Sequence, residues 1–127
     1  MAGGETVAKL EEALKKCLEL GKLIAQTDEY KEFKQAEYNL MQDAEARKML
    51  EDLQIMQQEQ EKKRMTGVMV TPEERQKLQQ AEKACLKNPI INASHNTNSK
   101  FHLLMNKIST SIKEGIKGKS ELDEIDY

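Results

Sequence analysis

Between Asp43 and Leu86 the apolar residues recur at the spacing of two helices folded back on each other about Gly67. In the first arm Ala46, Met49, Leu50, Leu53 and Met56, followed by Gln57, Gln60 and Arg64, fall three and four apart, so they form one narrow stripe that begins apolar and ends polar. Asp43 stands at the N-cap position and Glu45 in the first turn, where a carboxylate opposes the positive end of the helix dipole. Thr66-Gly67 closes this arm, because glycine accepts the left-handed conformation that ends a helix. Thr71-Pro72-Glu73-Glu74 opens the next, with threonine as cap, proline in the first turn and Glu74 completing a capping box. An antiparallel pairing whose position numbers sum to about 138 sets Leu53 against Cys85, Gln57 against Ala81, Gln60 against Leu78 and Arg64 against Glu74. A two-helix seam this thin is marginal in water, so it requires further helices or a second chain.

The flanking segments supply those helices. Thr6 to Gln26 predicts a first helix, after a frayed Met1 to Glu5, with Val7, Leu10, Leu14, Cys17, Leu18, Gly21, Ile24 and Ala25 on a face directed to the core. Leu20 and Leu23 lie off that face, so its second half is apolar on more than one side. Thr27 caps a helix over Asp28 to Met41 with Tyr30, Phe33, Ala36 or Glu37, Leu40 and Met41 inward. Asn88-Pro89 interrupts the chain and restarts it. The last helix carries Ile90, Ile91, Ser94, Thr97, Asn98, Phe101, Leu104, Met105, Ile108, Ile112 and Ile116 on one stripe. Its stretch Asn92 to Ser99 consists of weak helix formers that compete for backbone hydrogen bonds, which predicts a local distortion. Gly115 and Gly118 end it. The pattern as a whole predicts an all-α antiparallel bundle of four to five helices with a long helical hairpin, one domain over residues 1–119, and an acidic disordered tail over 120–127.

Composition narrows the function classes. The 127 residues are 33% charged and 4% aromatic with no tryptophan, a profile of long amphipathic helices; ligand pockets are generally richer in aromatic lining. A net charge of -2 predicts no general affinity for polyanions. The charge is uneven: Asp28 to Glu61 holds ten acids against four bases, and Pro89 to Lys119 five lysines against one glutamate, so these segments suit each other as neighbours. Two cysteines, Cys17 and Cys85, match no metal-ligand spacing and fit reduced thiols of a cytoplasmic protein. No apolar run reaches the length of a membrane span and no signal-peptide pattern is present.

Candidate chemistry is sparse. Cys17 lies on the stripe of the first helix and Cys85 on the hairpin seam, where each reads as a small apolar residue. His95 and His102 stand two turns apart on one helix, too far to share a metal, so a redox or metal-responsive switch would need Cys85 and a histidine to converge through folding. Phosphate-binding glycine loops, HExxH, CxxC and paired catalytic carboxylates are all lacking; no catalytic, cofactor or metal residue is expected. An RNA-binding accessory role through Lys100, Lys107, Lys113, Lys117 and Lys119 is the alternative, weakened by the lack of interleaved aromatic residues. Partner or dimer contacts are expected at Leu20 and Leu23, unless the first helix is sandwiched within the monomer, at Met49, Leu53 and Met56, and at the hairpin tip, Val68, Met69 and Val70, where three apolar side chains either meet water or pack back on the arms. The seven methionines suit an adaptable contact surface and an ordinary core equally.

The ordered combination "LGKLIAQTDEYKEFKQAE", "DAEARKMLEDLQ", the Gln/Glu-rich arm, "TGVMVTPEE" and "KNPII" resembles the YlbF/YmcA family of small helical bacterial regulators, over about Thr6 to Ile116. The resemblance implies a cytoplasmic all-helical protein without catalytic activity that forms homodimers or hetero-oligomers with related proteins. It also implies a partnership connected to ribonuclease Y and messenger RNA processing, and through it to competence, sporulation and biofilm formation. Iron-sulfur clusters are associated with a complex of such relatives; this chain lacks the clustered cysteines for that ligation, so no cofactor is carried over.

Overall fold

The computed structural model describes residues 2–118, and within them the chain forms five helices: α1 (Ala2–Ile24), α2 (Asp28–Gln42), α3 (Ala44–Met65), α4 (Pro72–Lys87) and α5 (Pro89–Lys117). The tail expected over 120–127 lies outside the described residues. Each helix start that the sequence marked is capped as its chemistry requires. Thr27 Oγ1 accepts from the Tyr30 amide at 3.2 Å and Asp43 Oδ1 from the Ala46 amide at 2.8 Å. Thr71 Oγ1 accepts from the Glu74 amide at 3.2 Å. Asn88 Oδ1 accepts from both Ile90 and Ile91, at 2.9 and 3.2 Å, so the residue that breaks the chain before Pro89 also starts the next helix.

The α3–α4 turn is closed by two reversed bonds, Val68 N–H to Lys63 O at 2.8 Å and Gly67 N–H to Arg64 O at 3.3 Å. This is a Schellman closure, and it places Gly67 at φ 75°, a conformation that costs an L side chain free energy.

The longest packing runs between α2 and α5, followed by α3 against α4, α4 against α5 and α2 against α3. The α2–α5 joint is aromatic: Phe101 stacks on Phe33 with ring centres 5.1 Å apart and meets Tyr30 at 5.6 Å. The acidic and basic segments do therefore lie side by side. A small second focus forms where α3, α4 and α5 converge on Ala46, Cys85 and Ile91, with Leu40, Met49, Leu50, Leu53 and Ile90 packed around it. Ala36, Ala46, Cys85 and Ile91 are the buried apolar residues of the described chain, and no large side chain is fully enclosed. The accessible surface is 10517 Å², against roughly 6,900 Å² for a compact monomer of this mass.

Several expectations are corrected. α1 begins at Ala2, not after a frayed end at Glu5. Its apolar face does not enter a core: Val7, Leu10, Leu14 and Leu18 stand more than half exposed and Cys17 is exposed. Met41 likewise points outward. α5 runs unbroken through Asn92 to Ser99 and past Gly115. The competing side chains are satisfied inside the helix, with Thr97 Oγ1 donating to Ala93 O at 2.9 Å and Asn96 Nδ2 donating to Asn92 Oδ1 at 3.0 Å.

Candidate interaction surfaces

The hairpin neck is polar; Leu53 packs at the root against the focus that holds Cys85, as the expected pairing has it, while side-chain partners near the tip differ from the expected ones. Gln60, only 5% exposed, donates through Nε2 to Glu74 O at 2.8 Å, one helical turn before the Leu78 expected opposite it. Lys63, not Arg64, meets the Glu74 carboxylate, at 2.6 Å; Arg64 turns back to Glu61 on its own helix at 3.1 Å. The Lys63 ammonium, assisted by the Thr71 hydroxyl and amide, holds the Glu74 carboxyl below its ordinary value of 4.5, against a smaller opposing effect of burial. A carboxyl depressed in the folded state adds stability that is present above its unfolded value and is lost as pH falls through the folded one. Replacing Glu74 by Gln should therefore lessen the difference between urea midpoints measured at about pH 6 and about pH 3. An unchanged difference would show that the pair contributes nothing. The effect is small, because both side chains keep about a third of their surface and solvent screens them.

Beyond the neck the tip is apolar and wet. Val68 is 53% and Met69 83% exposed, while Val70 is half-buried. Met65, in the last turn of α3, adds a further side chain at 80% exposure. Sequence reasoning passed over Met65, although its place two residues before the turn glycine puts it at the end of the arm. The other expected contact residues lie elsewhere. Met49 and Leu53 are half-buried against the chain's own α3–α4–α5 focus, and Met56 lines a polar cleft with Gln60 and Lys63. Leu20 is half-buried and Leu23 exposed, both on α1. The eight residues thus occupy separate regions and do not make one patch.

A third feature is an open groove of about 380 Å³ with Leu50, Leu53, Cys85, Leu86 and Ile91 on its walls and Glu82, Ser94, His95 and Asn98 among its polar lining. Folding does bring Cys85 and His95 to one groove. His102 is not among its lining residues. Cys85 is 4% exposed, its thiol directed to Met49 O at 3.7 Å, and burial pushes its pKa up. Little thiolate is then available for attack or ligation at neutral pH. Among the described residues no group of three or more His, Cys, Asp or Glu is placed to hold a metal ion. Under a disulfide reagent Cys85 should react only as the bundle opens, in a phase separate from that of Cys17, which lies outside this groove and which its own chain leaves uncovered. A single fast phase consuming both would contradict the burial of Cys85.

These features define a small all-helical protein whose distinctive chemistry lies in exposed apolar faces on helices. The chain belongs to the YlbF/YmcA family: the model of the family described as control of competence regulator ComK, YlbF/YmcA, matches residues 13–117. It is similar to a UPF0342 protein of Alkalihalophilus pseudofirmus, 32% identical over 109 residues that cover 84% of this chain and 92% of the relative. It is also similar to a UPF0342 protein of Halalkalibacterium halodurans, 26% identical over 102 residues, 80% of this chain and 88% of that one. No solved structure matches the chain significantly. The family is described by regulation and not by a reaction, and no described helix is long and apolar enough to cross a membrane.

Proposed function

We propose that this chain is a non-enzymatic regulatory or scaffolding subunit of the cytoplasm, a single domain over residues 1–119 that works by associating with a second copy or with related chains. The observation that carries this reading is the mismatch between interior and surface. A handful of mostly small residues is buried, while Val7, Leu10, Leu14, Leu18, Met65 and Met69 stand more than half exposed. Apolar helix faces of that extent on a small chain mark contact sites. Light scattering of the full chain at micromolar concentration should give at least twice the monomer mass of 14.5 kDa. A monomer would remove the association reading.

The family's description, control of the competence regulator ComK, supports a regulatory pathway as the setting. Within it, the finer reading is modulation of ribonuclease Y-dependent messenger RNA processing through a protein partner, with effects on competence, sporulation or biofilm formation. The apolar hairpin tip suits that partner. A strain lacking the chain should show altered ends on ribonuclease Y-dependent transcripts, and a strain with Val68, Met69 and Val70 changed to Ser should show the same. Transcript ends identical to the parent's would dismiss this pathway and leave the association reading standing.

A further inference from the structure

The first helix holds a second pattern within its amphipathic one. Val7, Leu10, Leu14, Cys17, Gly21 and Ile24 are spaced three, four, three, four and three residues apart, a heptad-like repeat two and a half heptads long. Such a repeat makes a narrow seam of the kind another helix running alongside covers. Within the chain α1 packs extensively on no other helix, and Val7, Leu10 and Leu14 remain 55, 58 and 55% exposed. A lone helix of this length is marginal in water.

We propose that α1 pairs with α1 of a second copy of this chain as an antiparallel two-stranded coiled coil centred between Leu14 and Cys17, an assignment that rests on the association reading above. The side chains select the direction. Parallel pairing stacks Gly21 on Gly21, leaving a void in the seam, and sets Cys17 against Cys17. Antiparallel pairing, with facing positions summing to 31, sets Val7 opposite Ile24, Leu10 opposite Gly21 and Leu14 opposite Cys17. Two layers then place a leucine over a smaller residue, filling the gap that Gly21 leaves, and the helix dipoles oppose each other favourably.

The same register carries the N-terminal end of the second copy's helix to the base of the first. There Leu20 of α1 and Ile108 and Ile112 of α5 line an open groove of about 360 Å³. Leu20 flanks the seam on α1, so the groove borders the proposed contact.

The test uses the full chain carrying Cys85→Ala, so that Cys17 is its only thiol, with and without Leu14→Cys. Leu14 is exposed within one chain, so its replacement leaves the bundle intact, which circular dichroism verifies. Under mild oxidation by diamide the Leu14→Cys chain should run as a dimer bridged between positions 14 and 17. The chain with Cys17 alone should stay uncrosslinked, because its two copies are offset by three residues, roughly 4.5 Å along the axis in addition to the gap between helices. Equal crosslinking through Cys17 alone overturns the direction. A dimeric mass without crosslinking at position 14 overturns the interface and spares the association reading, whereas a monomeric mass overturns both.

Gly21→Leu provides an independent measurement. A Cβ there meets no neighbouring side chain or element within 4 Å, and leucine improves helix propensity, yet its side chain overfills the layer facing Leu10. The dimer dissociation constant should rise about tenfold or more; an unchanged or tighter dimer overturns the proposal.

Discussion

Replacing Phe101 by Ala should lower stability by about 3 kcal/mol and the melting temperature by roughly 10 °C. The ring is half-buried, so less apolar area is lost than in a closed core, but it is the shared element of the α2–α5 joint. It stacks on Phe33 at 5.1 Å with an 18° interplanar angle and meets Tyr30 at 5.6 Å and 56°. Such pairs contribute beyond area alone. In a domain whose whole stability is of order 5–15 kcal/mol, the loss leaves a chain that is substantially unfolded under mild heating. His102→Ala, one residue along on the exposed side, should stay within about 0.5 kcal/mol of the parent. Comparable losses for the two would mean that the aromatic trio does not hold α2 to α5. Phe101→Leu, which retains bulk without the ring, should fall between them.

The aromatic joint was within reach of sequence reasoning because it depends on periodicity. Tyr30, Phe33 and Phe101 each recur at helical spacing with their neighbours, and the caps at Thr27, Asp43 and Thr71 are local: side chain and amide lie three residues apart in the chain. What was not legible is where a face goes. The stripe of α1 states that Val7, Leu10 and Leu14 must be covered; amphipathicity is the same whether the cover is this chain or another. The polar stretch of α5 stays helical for a related reason. Asn92, Thr97 and their neighbours can cap a break or bond within an intact helix, and the choice rests on packing to either side, at Ile91 and Phe101, which propensity does not contain. The one-residue slip from Arg64 to Lys63 as partner of Glu74 follows from the reach of flexible side chains, which helix pairing alone does not fix. For the tip the sequence leaves two outcomes open, three apolar residues meeting water or packing back on the arms; Val68 and Met69 take the first and half-buried Val70 part of the second. The residues expected to make contacts therefore divide by physics. Met49 and Leu53 sit at the root, where α5 arrives to cover them, and Val68 and Met69 sit where no helix reaches.

Ala46 tests the root of that hairpin. It has no exposed surface and touches the Cys85 and Ile91 focus from the first turn of α3, directly after the Asp43 cap that fixes the turn's position. Three helices approach closely only because the side chain at their meeting point is a methyl group. Ala46→Leu forces additional atoms into a space with no slack and should cost about 2–3 kcal/mol, while an exposed Ala44→Leu should be nearly neutral. Cys85 reports the result directly. Its thiol is shielded by the same contacts, so its slow reaction with a disulfide reagent measures how often the root opens. A loss of about 2 kcal/mol should speed that reaction roughly 30-fold, while the rate at exposed Cys17 stays unchanged. If Ala46→Leu left the Cys85 rate untouched, the focus at Ala46, Cys85 and Ile91 would not be what holds α3, α4 and α5 together. The α2–α5 aromatic joint would then be the main support of the bundle.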